Sequence, residues 1–302
     1  MRLFEQELCA FLEGCGIPFR VESISGLNVF LCGEGRLAAV TVPLEYFSEG
    51  GTPEMLLDTM RGTGTQDALC LYQDRWMWAG PLVRSMLRVR LGLGTAVYAR
   101  NCAVRVVSAE SAARFLQANH VYGSARPAVR LGLFRQRSTG SREAPMDCVP
   151  PLVAVATFSS GRRKDGGPVS YEWVRYASLR GVRVVGGMGR LLDAFTAMMS
   201  GGNEDEAFEV MTYADREWYG GDSYLRLGFR EEGERSPVGF LCDPRTGMRV
   251  HECRARTDCG FRGMDVEGMV PVLNLGSRRF VLSVSGRGRS GAGLQQETSR
   301  PR

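Results

Sequence analysis

Lysine is almost missing from this chain: Lys164 is the single one among 38 basic side chains. Long apolar runs are missing too. No stretch approaches the roughly 18 apolar residues that a membrane-spanning helix needs, and the opening segment MRLFEQELCAFLEG reads as an acidic amphipathic helix, not a secretory signal. The nine cysteines are an odd number with no CxxC pairing, which argues against a disulfide framework and for a reducing cytoplasm. Histidine occurs twice, at His120 and His251.

What is present instead is arginine, and it is unevenly spread. Residues 1–98 hold 8 basic against 11 acidic side chains, a net of −3, so the remainder carries +8. Such a bias predicts a polyanionic partner in the later part, either nucleic acid or the phosphate tail of coenzyme A. At 302 residues the chain has room for one large or two modest domains, each with its own core.

Residues 2–14 put Leu3, Phe4, Leu8, Phe11 and Leu12 on one helical face. GCGIPFRVES then reads as a turn, and GLNVFLCGEGRLAAVTVPL as a β-hairpin about Gly33–Gly35. A short helix at Leu56–Met60, a strand ALCLYQDRW ending in a turn and a basic helix over Gly80–Leu91 complete a small α/β module, residues 1–97. A second unit, 98–284, begins with the strand YARNCAVRVV and a helix after Ser108 that ends at His120. Two strands, AVRLGLF and PPLVAVATFSS, flank the polar insertion RQRSTGSREAPMDCV, and SSGRRKDGGPVS is a second basic loop. Both are expected to be mobile. PVGFLCDPRTGMRV and VPVLNLGSRRFVLSV read as two closing hairpins, and 285–302 as a disordered tail. The fold class expected is α/β of the α+β kind.

The segment Tyr171–Phe229 organises the second unit: a strand, a glycine-rich turn, an amphipathic helix, a strand, and a helix running into YLRLGF. The turn Val185, Gly186, Gly187, Met188, Gly189, Arg190 opens the helix RLLDAF. Unpaired N–H groups and the helix dipole favour phosphate there, and glycine allows close approach. Val184 stands where an Arg or Gln commonly begins such a motif; a glycine-rich turn without ligand is the plainer reading. Tyr224 is a candidate proton donor or a core tyrosine, and Asp215 a candidate base or an N-cap. His120 reads as a base, a ligand or a helix cap. Arg175 is a charge in a strand fit for burial, expected to meet Glu172, Asp215 or a substrate. Cys242, His251, Cys253 and Cys259 have zinc-ligand chemistry but no matching spacing.

From residue 98 the order β-α-β-β-β-α-β-α-β resembles the GNAT acyltransferase layout. More narrowly, the runs FLQANHVYG, LGLF, LVAVATF, YEWVRYASL, VVGGMGRLL and YADREWYGGDSYLRLGF together resemble the Mom-type GNAT-like proteins of phages and mobile elements. That resemblance spans about residues 98–250. It implies acylation of an amine by acetyl-CoA or another acyl-CoA, with a nucleobase in DNA as acceptor. It carries key roles onto His120, Asp215 and Tyr224, and admits iron at those three as an alternative. Arg135, Arg137, Arg142, Arg162, Arg163 and Lys164 would then hold DNA phosphates.

The front of the chain, through GLNVFL, RLAAVTV, LYQDRW and VYAR, resembles the very-short-patch-repair-like endonucleases. Asn28 stands where their metal-binding Asp would be, and Val40 or Thr41 replaces their Glu. Without those carboxylates Mg²⁺ has no anionic anchor, so the module reads as a degenerate nuclease. Asn274-Leu275-Gly276-Ser277 matches these relatives' closing Asp-Cys-Gly-Asn only in degraded form. A catalytically inactive DNA-binding or interaction protein, and an active homing-type endonuclease, are the competing expectations.

Overall fold

A computed structural model describes all residues except 137–150, 164–165, 202–206, 219, 253–266 and 286–302. The chain is mixed α/β, with helices packed on several sheets. Helix α1 (Leu3–Gly14) precedes strands β1 (Phe19–Ile24), β2 (Leu27–Cys32) and β3 (Leu37–Val42); helix α2 (Pro53–Gly62) leads to β4 (Ala68–Tyr72). These strands form a four-stranded sheet in sequence order, with β3 and β4 parallel. Thr52 caps α2 by accepting the Met55 N–H, and Pro53 occupies its first turn, where no N–H is needed. Of the predicted face of α1, Phe4, Leu8 and Leu12 are buried against this sheet, whereas Leu3 stays exposed.

Two expectations fail in this module. FRVESI is a strand and not part of a turn; its apolar–polar alternation pairs it along β2 although its middle is solvent-exposed. After β4 the chain forms helix α3 (Gln73–Trp78) instead of a turn, followed by α4 (Gly80–Arg90).

Strand β5 (Thr95–Tyr98) leads into β6 (Cys102–Val106), α5 (Ala109–Asn119), β7 (Val129–Arg135), β8 (Leu152–Phe158), β9 (Arg162–Arg163), β10 (Val169–Ser178), β11 (Val182–Val185), α6 (Gly187–Ser200), β12 (Phe208–Asp215), α7 (Asp222–Arg226) and β13 (Arg230–Arg235). The final strands are β14 (Gly239–Cys242), β15 (Arg249–His251), β16 (Val270–Leu273) and β17 (Ser277–Val284). The large sheet runs β13-β17-β12-β10-β8-β7-β6, with β9 on β10. Part of the expected basic loop is therefore strand: Arg162 and Arg163 pair with Ser170 and Val169. Helix α6 packs Leu191, Leu192 and Phe195 on one sheet face, where Phe195 stacks on Phe158 at 3.8 Å. On the other face α5 packs Phe115 and Leu116 against Val155 and Ala177. The alternation of β8 serves both layers.

The expected hairpin about LGSR does not form. β16 pairs with β14, whereas β17 leaves for the large sheet and inserts between β12 and β13. The switch is made at Asn274, whose Oδ1 accepts from Val238 N (2.7 Å) and Gly276 N (3.1 Å), and at Gly276, whose φ of +72° suits glycine. The small sheet β15-β14-β16 packs Cys242 and Val272 into the core of the first module.

Candidate functional site

Strands β10 and β12 are parallel neighbours that pair over only half their length. Val169–Glu172 match Phe208–Met211; beyond that point a bulge at Trp173/Arg175 keeps β10 on β8 while Thr212–Asp215 stay on β17. The two strands part company, so a wedge opens between them and leaves facing backbone groups without ladder partners. Thr212 stands at the fork: its Oγ1 donates to Trp173 O at 3.0 Å and lies 3.4 Å from the Tyr224 hydroxyl. The Tyr224 ring is fixed by Trp173, Phe229 and Phe280 at 5.5–5.8 Å between centroids.

The N-terminus of α6 borders the same wedge. Gly186 has φ +75° and the helix start carries no side-chain cap, so the N–H groups of Gly187, Met188 and Gly189 have no intrahelical partner. The packing there requires glycine at position 187 and is only tight at 189. A Cβ on Gly187 would lie 2.6 Å from the Tyr176 hydroxyl of β10, and one on Gly189 would lie 3.3 Å from Leu227, just past α7. Arg190, at the end of the first turn of α6, is exposed.

At the far end of β12, Asp215 accepts the Tyr122 hydroxyl on Oδ2 and the Glu217 N–H on Oδ1 (2.7 Å). His120 Nδ1 accepts from Tyr122 N at 3.1 Å, which puts the neutral ring's proton on Nε2. Burial and the nearby Arg175 depress its pKa to about 3, so this imidazole is uncharged at neutral pH. Arg175 meets neither Glu172 nor Asp215 by hydrogen bond or ion pair. It donates instead to Val174 O (2.8 Å), with its Cζ 5.8 Å from the Tyr122 ring.

Beneath Asp215 lies a buried ionic cluster that the sequence did not reveal. Glu217 is 2% exposed, and burial plus the Asp215 charge push its carboxyl up to about 7. Arg249 of β15 engages both oxygens of Asp74 from α3 and lies 3.6 Å from Glu217. Arg75, next in α3, has its Cζ 5.1 Å from the Tyr122 ring. The first module therefore supplies walls of this site. Trp218 packs in that module's core and does not fill the wedge.

Of the sequence-derived residues, His120, Asp215 and Arg175 meet around Tyr122. Tyr224 approaches from the other side, because Thr212 and Asp215 fall on opposite faces of β12. For iron, His120 and Asp215 lie together at Tyr122, but the Tyr224 ring packs among Trp173, Phe229 and Phe280 across β12, so the three do not form one ligand set. Among the described residues no group of three His, Cys, Asp or Glu side chains is placed to hold a metal. Arg162 and Arg163 are exposed and Arg135 is half-buried, while Arg137, Arg142, Lys164, Cys253 and Cys259 lie outside the described residues, as do most of the polar insertion and the tail. No helix among the described residues is long and apolar enough to cross a membrane.

In the first module, Asn28 and Thr41 do meet, and they surround Glu5 of α1. Asn28 Nδ2 donates to both Glu5 oxygens (3.0 and 3.1 Å), Thr41 Oγ1 donates to Oε1 (2.8 Å), and Arg2 N donates to Oε2 (2.7 Å). Glu5 is fully buried, and its oxygens are occupied by neutral donors.

No family model and no curated protein matches the chain.

Proposed function

We propose that the chain is a GNAT-like N-acyltransferase, dependent on an acyl-CoA, whose acceptor is an amine and whose favoured acceptor is a nucleobase in DNA. The observation that carries this reading is the half-paired β10/β12 couple with an uncapped, glycine-opened helix at its mouth. The strand order on either side of the wedge agrees with the GNAT layout that the sequence resembles.

The residues fit the cofactor. The N–H groups of Gly187, Met188 and Gly189 would donate hydrogen bonds to the pyrophosphate, with Arg190 and Arg135 adding positive charge. Bound there, an acyl-CoA would supply a thioester activated for transfer. Tyr224, held at the fork by Thr212, would donate a proton to the departing sulfur. Asp215 would draw the proton from the attacking amine. His120, with its proton on Nε2, would donate a hydrogen bond to the acceptor instead of serving as the base. The exocyclic amine of a base is a poor nucleophile and is buried in a duplex, so the acceptor has to be single-stranded or extruded. Exposed Arg162 and Arg163 are suited to hold its backbone.

The sealed Glu5 pocket supports reading residues 1–97 as a nuclease-like module without nuclease chemistry. Neutral Asn28 and Thr41 satisfy the one carboxylate that remains. A chain that kept this scaffold only to bind DNA is the second reading, and cofactor binding separates the two.

The test is calorimetric titration of the full chain with acetyl-CoA and desacetyl-CoA, alongside Gly189→Glu. Glu at the third helical position is compatible with a helix start but opposes phosphate, whereas Gly187→Glu collides with Tyr176 and confounds binding with folding. Saturable binding lost in Gly189→Glu is expected. Absence of binding in the native chain overturns the acyltransferase.

A further inference from the structure

Arg75 is a guanidinium in search of an acceptor. The residue is 8% exposed, its Nε is buried without a partner, and its side chain donates no hydrogen bond and makes no ion pair among the described residues. Arg175 Nε is likewise buried and unpartnered, its Nη1 satisfied only by Val174 O. Burying such donors without acceptors is unfavourable, and ring contact with Tyr122 does not occupy an N–H. Of the nearby acids, Asp74 gives both oxygens to Arg249 and Asp215 is bonded to Tyr122 and Glu217 N, while Glu217, its Oε1 buried without a hydrogen-bond partner, lies 3.6 Å from Arg249 and makes no hydrogen bond or ion pair to Arg75.

Both guanidiniums lie within 6 Å of the Tyr122 ring, at 5.1 and 5.8 Å, and that residue keeps 39% of its surface in solvent. Two forked donors with unpartnered Nε groups thus border the same partly exposed ring, between α3 of the first module and β10 of the second. Planar bidentate donors of this kind match a carboxylate or a phosphate.

We propose that Arg75 and Arg175 form an oxyanion-binding site beside Tyr122 that holds a phosphate or carboxylate of the acceptor substrate. The identification of the ligand as the acceptor rests on the acyltransferase reading; the anion site itself does not. It lies across β12 from Tyr224, and it gives the first module a part in substrate recognition. If the acceptor is DNA, the anion is a backbone phosphate next to the modified base; a small acidic amine would present its carboxylate.

The experiment is thermal unfolding of the full chain at constant ionic strength, titrated with inorganic phosphate, acetate and a dinucleotide monophosphate against chloride. The variants are Arg75→Met, Arg75→Lys, Arg175→Met and Gly189→Glu. A saturable rise in Tm is expected in the native chain. It should be lost in both Met variants, weakened about tenfold in Arg75→Lys, which keeps charge but not the fork, and retained in Gly189→Glu. Arg75→Met without anion should unfold no lower than the native chain, because an unsatisfied buried charge has been removed. Response to phosphate and the dinucleotide identifies a nucleic-acid backbone, and response to acetate alone a carboxylate; either supports the site. Silence towards phosphate, acetate and the dinucleotide overturns it, as does a shift that survives both Met variants. A chain that fails to bind CoA yet shows the Arg-dependent shift loses the acyltransferase and keeps the anion site.

Discussion

Glu217 and His120 sit two residues from the two ends of the Tyr122–Asp215 bond, and burial moves their pKa values in opposite directions. Glu217 holds its proton to about 7 when folded, whereas the unfolded chain releases it in the ordinary carboxylate range near 4.5. Across that window unfolding releases a proton, so stability falls as pH rises. His120 stays neutral down to about 3 when folded, but the unfolded chain takes up a proton near 6.5. Across that window unfolding binds a proton, so stability rises with pH. Between about 4.5 and 6.5 the two slopes, each at most about 1.4 kcal/mol per pH unit, oppose one another. Denaturant titrations at a series of pH values should therefore give a flat profile there in the native chain. Glu217→Gln should leave only the rising limb and His120→Gln only the falling limb. A native-like flat profile in both variants would refute the assignment. Tyr224→Phe belongs to the same scale. It removes one hydroxyl at the fork, so acyl transfer should drop about a hundredfold while acetyl-CoA binding and folding change little, as read by steady-state kinetics beside calorimetry.

The elements themselves were largely legible. Helix α1, the β2–β3 hairpin, α5, β8, α6 and β12 all follow from apolar spacing with their caps and glycines, because those signals are local. Where reading failed, the deciding contact was distant. LNLGS has the composition of a hairpin turn, yet its two flanking strands belong to different sheets; only Val238, 36 residues away, explains why Asn274 is needed. The sequence singles out His120, Asp215 and Arg175, which the structure gathers around Tyr122, but not Tyr122, Arg75, Glu217 and Arg249 beside them. Nothing in VYG, DRW, REW or MRV marks a site until three remote segments are folded together. The Glu5 pocket is half-legible: Asn28, and Val40 or Thr41, mark the missing acids, and the structure selects Thr41, while the helix that contributes Glu5 carries no signal beyond its amphipathic face. Asn28→Asp places a second carboxylate against Glu5 and removes its paired donor. Loss of about 1–3 kcal/mol in urea melts is expected. If the pocket descends from a metal site, millimolar Mg²⁺ should recover part of that loss in the variant and do nothing for the native chain.

At the scale of the whole molecule, the two units are joined by buried polar contacts as well as apolar ones. Cys70 N of β4 donates to Glu217 O (2.8 Å), Tyr72 Oη donates to Leu273 O (3.0 Å), and β5 pairs parallel with β11. The Arg249–Asp74 pair, 4% and 2% exposed, ties the small sheet to α3. Removing one partner of such a pair strands the other charge away from water, which typically costs about 3–5 kcal/mol, whereas replacing both by apolar residues costs far less. Asp74→Leu and Arg249→Met should each destabilise by that order, and the double variant by much less than their sum. The wider consequence is cooperativity. Because the same cluster contains the walls of the proposed acceptor site, opening the contact between units would dismantle the site as well. Urea unfolding followed by tryptophan fluorescence and by far-ultraviolet circular dichroism should thus give one coincident transition. Two separated transitions would mean that the first unit folds independently of the second, and that Arg75 reaches Tyr122 by docking instead of through a shared core.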